Sequence, residues 1–319
     1  MVTTTAAWAT SSPLTAQQVI RMPRPVALVS VAEARQHDSD LPLIVRALGD
    51  RGVDARIIDW DDASVDWSSF DAAIIRSPWD YHRRLAEFLA WVDVVSKVVP
   101  VLNAPEVLAW NTDKTYLAEI VATGIPVIPT TFVRSAEDLV LANELMNSDV
   151  VVKPTVSAGA NNTERHTSDP AAAAAHAAAL LDAGKTVMVQ PYQRFIDDNG
   201  ETGLLYFDGE YSHAFRKNAI LATGTNRWTS GLYADEDIAP RRANEQERAL
   251  GDEVMAFVTR RFGRAPLYAR VDMVRGSAGT PVLMELELTE PSLFLHTDAG
   301  AATRFASAVA ARRSVGWAS

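Results

Sequence analysis

Three carboxylates, Glu285, Glu287 and Glu290, crowd the segment LMELELTEPS at residues 283–292, whose other members are largely apolar. Upstream, ARVDMV places Arg270 and Asp272 at the same alternate spacing as Glu285 and Glu287. In a β-strand that spacing puts both members of each pair on one face. If the two segments pair and their faces coincide, Asp272, Glu285 and Glu287 converge. Crowded carboxylates repel one another and resist burial, so such a group must be exposed, protonated or neutralised by a cation. All-oxygen donors suit Mg2+ or Mn2+, and Mg2+ usually completes its shell with substrate phosphates. The competing reading is an ordinary two-sided strand, with Glu285 and Glu287 solvated and Met284, Leu286 and Leu288 packed inward.

Other residues bear on that choice. Lys153 follows VVV and precedes TVSAGANNT, a small-residue loop whose backbone N–H groups can approach phosphate oxygens while the ammonium supplies charge. The pattern GxxxxGK[ST] is missing, so this is not a P-loop, and a solvated lysine at a strand end is the alternative. In RSPWDY, Arg76 lies at the carboxyl end of an apolar run, where open α/β sheets bind ligands, and is a candidate for a substrate carboxylate. Ser77 and Pro78 read better as a helix cap and first helical residue, and Trp79 and Tyr81 as packing residues. Glu290, Ser292 and His296 follow the acidic strand and are candidates to shape an acceptor site, although lone residues of these types are usually solvated or structural.

Alternating strands and helices must position these groups. PVALVSVAEA, ARIIDW and DAAIIRSPW are apolar strand-like runs, LPLIVRALGDRG is a helix with Leu43, Ala47 and Leu48 on one face, and LAEFLAWVDVVSKV is another helix. With the strand VPVLNAPE they predict a doubly wound α/β domain over 24–110. A central unit over 111–190 holds the helix TDKTYLAEIVATG and the edge strand IPVIPTTFV. It continues with the strand ahead of Lys153 and the helix SDPAAAAAHAAALLDAG, capped by Asp169 with Pro170 at its first position. The remainder, 191–319, reads as two strand pairs with a helix between them and a helix at the end: LLYFDGEYSHAFRK turns at Asp208-Gly209, EQERALGDEVMAFVTRRFG is a helix, APLYARVDMV pairs with PVLMELEL, and AATRFASAVAARR is the final helix. The leader 1–23 reads as a flexible extension, with neither a secretory signal nor a membrane span.

The 319 residues carry 30 Lys and Arg against 40 Asp and Glu, a formal charge of −10, and no basic cluster, which disfavours a nucleic-acid partner. The absence of cysteine excludes disulfides, thiolate metal sites and cysteine nucleophiles, and suits a reducing cytoplasm.

In order and spacing, DKTYLAEI with Lys114, VVKPTVSAGA with Lys153, VQPY, an acidic GET ahead of a hairpin, ARVDMV and MELEL together resemble the ATP-grasp ligases. Glu287 stands where the usual final metal motif has asparagine. Within that superfamily, IIDWDDASVDWSSFDAAIIRSPW, GIPVIPTT, FDGEYSHA and MELELTEPSL resemble the O-ureidoserine cyclo-ligase family of cycloserine biosynthesis and its actinobacterial-type relatives. The resemblance implies an α/β ATP-grasp fold of α+β subdomains behind an N-terminal Rossmann-like pre-ATP-grasp domain. It also implies ATP and Mg2+ (or Mn2+) as cofactors, an amino-acid-like small-molecule substrate, and a homodimer. By that resemblance Lys114, Lys153 and the loop with Ser157, Gly159 and Ala160 contact the phosphates. Gln190, Pro191 and Tyr192 border adenine, and Glu201 holds the ribose. Asp272, Glu285 and Glu287 hold the metal, Lys217 or Arg216 meets the transferred phosphoryl group, and Arg270 stabilises the acyl-phosphate and tetrahedral species. The implied activity is ATP-dependent joining of a carboxylate to an amine through an acyl phosphate. A small-molecule kinase and a non-enzymatic nucleotide- or metal-binding module are the alternatives.

Overall fold

The computed structural model describes residues 23–218 and 237–317. Residues 1–22 of the leader, expected to be flexible, lie outside the described residues.

The first sheet contains β1 (Val26–Ser30), β2 (Ala55–Asp59), β3 (Ala72–Ser77) and β4 (Val101–Leu102), all parallel in the order β2-β1-β3-β4. Every residue of β1 is buried, as a strand covered on both faces requires. Val26 and Leu28 pack with α1 (Asp40–Gly49), whereas Ala27 and Val29 pack with α2 (Leu85–Ser96). The inward face of α1 is Leu41, Ile44 and Leu48; Leu43 and Ala47, expected on that face, flank it half-buried. No helix starts at Ser77: the residue ends β3, and its hydroxyl meets that of Ser30 at 2.8 Å. Of VPVLNAPE only Val101–Leu102 is strand, and its last residues open α3 (Pro105–Asn111), followed by α4 (Tyr116–Val121).

The central sheet, in the order β5-β8-β6-β7, is antiparallel and comprises β5 (Thr131–Val133), β6 (Val150–Pro154), β7 (Glu164–His166) and β8 (Val187–Pro191). One face is covered by α5 (Ala136–Met146) and α6 (Pro170–Asp182). As expected, Asp169 caps α6, accepting from the Ala172 N–H at 3.0 Å. Helix α5 escaped the sequence reading because exposed Val140 and Leu141 blur its apolar stripe; its signal was the cap pair Ser135 and Asp138. Of IPVIPTTFV, only the end is a strand, and it lies at the sheet edge.

After the short α7 (Phe195–Asn199) comes a five-stranded antiparallel sheet, β11-β10-β9-β12-β13. It comprises β9 (Glu201–Phe207), β10 (Glu210–Lys217), β11 (Ile238–Arg241), β12 (Tyr268–Arg275) and β13 (Pro281–Glu287). Asp208 and Gly209 form the expected two-residue turn, both with positive φ, 51° and 85°. The helix α8 (Glu245–Phe262) opens with a capping box between Asn244 and Glu247. The last helix, α9 (Ala301–Ser314), returns to the first sheet, where Phe305 and Val309 join the core beside α1. Among the described residues no helix is long and apolar enough to cross a membrane.

Candidate active site

The pairing of β12 with β13 sets Arg270 opposite Glu287 and Asp272 opposite Glu285, so the two alternating pairs share one face. The register then slips: Asp272 pairs with Glu285 but Met273 pairs with Leu283, leaving Met284 as the extra residue of a β-bulge. Met284, which the ordinary-strand reading packs inward with Leu286 and Leu288, instead lines the cleft with the carboxylates.

Strand β13 is a sheet edge, and its outer backbone groups are satisfied by distant side chains. The Asn111 amide donates to the Leu286 carbonyl at 2.8 Å and accepts from the Leu288 N–H at 2.6 Å. The Tyr116 hydroxyl bonds both backbone groups of Leu286, at 2.7 and 2.8 Å. Beyond the strand, both oxygens of the Asp40 carboxylate accept from the N–H groups of Leu293, Phe294 and Leu295. The acidic strand is thereby fastened to α1, α3 and α4.

Arg270, buried, donates from Nε and Nη2 to Asp272 at 3.0 and 2.8 Å, from Nη2 to Glu287, and from Nη1 to the Ser292 carbonyl at 3.1 Å. Glu285 turns the other way, with Lys114 Nζ at 3.1 Å and Lys153 Nζ at 4.0 Å. Lys114 also donates to the Ser157 carbonyl at 2.8 Å, tying that lysine to the small-residue loop. Burial opposes a charge on Glu285, but the two lysines outweigh it and hold its carboxyl below the usual range. For Glu287 burial wins over Arg270, helped by the neighbouring carboxylates, and its pKa is pushed up to about 8. Burial likewise raises Glu290 to about 7 against a hydrogen bond from Tyr81. It also lowers Lys153, with Glu285 partly opposing.

These groups floor a cleft between the central and C-terminal sheets. Its walls carry Val151 and Lys153 of β6, the loop with Ser157, Gly159, Ala160 and Thr163, and Gln190, Pro191 and Tyr192 at the end of β8. Glu201 and Lys217, 4.0 Å apart, border it from the open ends of β9 and β10, and Glu290 and Ser292 from the segment after β13. Sequence reasoning missed its apolar lining, Ile128, Val151, Ile196 and Met284, and the indole of Trp79, which donates to the Glu290 carbonyl at 3.1 Å. Only Val151 had a signal, its alternation with Lys153.

Three candidates lie elsewhere. Arg216 points to the other side of β10, donating to the Asp198 carbonyl at 3.1 Å, because neighbours on a strand alternate faces. Arg76 is wholly buried and is not among the residues lining the cleft; it donates to the Pro291 carbonyl at 2.7 Å and lies over the Tyr268 ring. His296 is exposed and outside the cleft.

The oxygen-only donor set fits a hard divalent ion, and such an ion would favour the charge on Glu287 that burial, helped by the neighbouring carboxylates, opposes. Asp272 and Glu287 close on Arg270 while Glu285 closes on Lys114, so the three carboxylates do not surround one point. One or two of them, with phosphates completing the shell, match the usual Mg2+ arrangement.

Residues 26–103 match the family described as the N-terminal domain of D-cycloserine synthetase DcsG. The chain is 39% identical over 296 residues to the cycloserine biosynthesis protein DcsG of Streptomyces lavendulae, covering 90% of this chain and 98% of that protein. It superposes on the crystal structure of D-cycloserine synthetase DcsG with a TM-score of 0.82 at 38% identity, over 90% of this chain and 99% of the other. A D-alanine–D-alanine ligase from Bacillus anthracis complexed with ATP shares the fold, with a TM-score of 0.64 at 14% identity over 93% and 99% of the chains.

Proposed function

The chain belongs to the DcsG family of ATP-grasp ligases, and from that premise we propose that its C–N bond closes a ring within one amino-acid-like molecule bearing an aminooxy or ureido nitrogen. As a ligase of this family it couples ATP hydrolysis to carboxylate–amine joining. The substrate carboxylate attacks the γ-phosphorus, the bond to the β-phosphate oxygen breaks, and ADP leaves. The substrate nitrogen then attacks the acyl carbon, the carbon–phosphate oxygen bond breaks, phosphate departs and the nitrogen gives up a proton.

The observation carrying this reading is that Lys114, Lys153 and Lys217 meet the Asp272–Arg270–Glu287 cluster in one cleft. In our reading Lys114 and Lys153 hold phosphate oxygens under the 157–163 loop, with Gln190, Pro191 and Tyr192 against the base and Glu201 on the ribose. Ile128, Val151, Ile196 and Met284 supply the apolar walls a flat base requires. One or two of Asp272, Glu285 and Glu287 would hold Mg2+ together with the phosphates, and the ion when bound offsets phosphate charge as the carboxylate approaches. Arg270, a fork already held by carboxylates, stabilises the oxyanions of the acyl phosphate and tetrahedral species. Lys217 is assigned to the transferred phosphoryl group, since Arg216 faces away. Glu290 and Ser292 border the acyl end.

A panel of amino acids with aminooxy and ureido side groups, scored by ADP release and product mass, tests the proposal. Ring closure of an aminooxy acid gives a product lighter by one water with no second reactant. ADP release that always requires an added amine would refute ring closure and leave the ligase assignment intact.

A further inference from the structure

Away from the cleft, the central lobe brings together three side chains that no step of the ligase reaction uses. Glu164 and His166 lie on one face of β7, two residues apart, and His176 projects from α6, which covers that sheet. His166 Nε2 and His176 Nδ1 are 3.2 Å apart; Glu164 Oε2 is 3.8 Å from the first and 3.9 Å from the second. Among the described residues this is the one group of three such side chains whose donor atoms all lie within 4.8 Å of one another. The three side chains are 8–13% exposed.

We propose that Glu164, His166 and His176 form a Zn2+ site that staples β7 to α6. A circle through three atoms at these spacings has a radius of about 2.1 Å, the bond length zinc makes to imidazole nitrogen and carboxylate oxygen. An ion at that distance lies close to the plane of the three donors, and a small approach of Glu164 toward the spacing of about 3.4 Å that a tetrahedron requires would open a fourth position for water. Two imidazoles and one carboxylate select zinc over magnesium, which prefers an all-oxygen shell. In the metal-free fold His176 Nε2 is buried without a hydrogen bond. Ligation through Nδ1 leaves Nε2 to carry the ring proton. The site sits at the root of the 157–163 loop, and the staple would fix where that loop leaves the sheet.

The full chain, stripped of metal and kept in millimolar Mg2+ to saturate the all-oxygen cluster, is titrated with Zn2+ against a chelating dye. One equivalent should bind and raise the melting temperature. Glu164→Gln and His176→Gln should each weaken that equivalent at least about a hundredfold, since losing a ligand exceeds losing its outer-shell partner, and should abolish the thermal shift. Co2+ loaded in place of zinc should show the intense visible bands of a four-coordinate ion in the parent chain. If a variant misfolds, the cobalt spectrum of the parent chain decides. Equal zinc binding by the parent chain and both variants, or a weak six-coordinate cobalt spectrum, would overturn the site. None of these readouts depends on ligase activity.

Discussion

Glu287 is held by Arg270 yet pushed up to about 8 by burial, so its ionisation works against the metal-free fold. A carboxyl whose folded pKa is raised contributes its stability below the ordinary value of 4.5 and loses it as pH rises toward 8. The metal-free protein should therefore lose stability across that window, with Glu290 contributing up to about pH 7. Glu287→Gln should flatten this loss in a series of melting temperatures against pH, while ADP release falls by about a hundredfold or more. A variant as pH-sensitive as the parent chain would remove Glu287 as the cause. Arg270→Lys keeps the charge but not the fork that reaches Asp272, Glu287 and Ser292 at once. It should lower kcat by about ten- to a hundredfold and change the KM for ATP much less, a split read from steady-state kinetics.

Strand pairing places these groups, and Gly203 on β9 makes room for them. A Cβ there would come within 2.2 Å of the Phe215 ring and 2.9 Å of Asp272 Oδ1. Gly203→Ala should cost about 1–3 kcal/mol in denaturant unfolding by overpacking, and should weaken Mg2+-dependent turnover by displacing Asp272. The strands themselves were legible: alternation in ARVDMV and MELEL put Arg270 with Asp272 and Glu285 with Glu287, the strand register brought the two faces together, and Asp208-Gly209 declared its turn. The bulge at Met284 was not, because a register slip depends on the partner strand and leaves no mark in local spacing. Helix α5 was hidden for another reason: its outward Val140 and Leu141 carry no polar face to set against the core.

Across the molecule, buried amides join parts far apart in sequence. Asn103 donates to the carbonyls of Tyr268 and Leu288 at 2.9 and 2.7 Å and accepts from the Leu267 N–H at 2.6 Å, locking the first sheet to the last. Asn111→Ala would orphan the Leu288 N–H at the edge of the acidic strand and leave the Leu286 carbonyl to the Tyr116 hydroxyl alone. Such an orphaned group costs about 1–3 kcal/mol, so this variant should unfold at markedly lower denaturant and lose turnover despite touching no substrate. Ligand linkage acts at the same scale. Mg2+ with a non-hydrolysable ATP analogue at about a hundred times its Kd should stabilise the chain by about 2.7 kcal/mol in thermal unfolding. No shift would contradict a nucleotide site in the cleft.

The sequence by itself determined what short-range periodicity and composition encode: the alternating strands and helices, the alternate spacing of the acidic residues in the last two strands, the lysine ahead of a small-residue loop, and the ATP-grasp likeness. Tertiary structure decided which side chains reach the cleft. It turned Lys217 inward and Arg216 outward, buried Arg76 under the Pro291 carbonyl, and fastened an edge strand through Asn111 and Tyr116. It also brought His176 of a helix to Glu164 and His166 of a strand. Such outcomes depend on the three-dimensional register between elements, set by packing and hydrogen bonding across gaps of up to hundreds of residues, to which local spacing is blind.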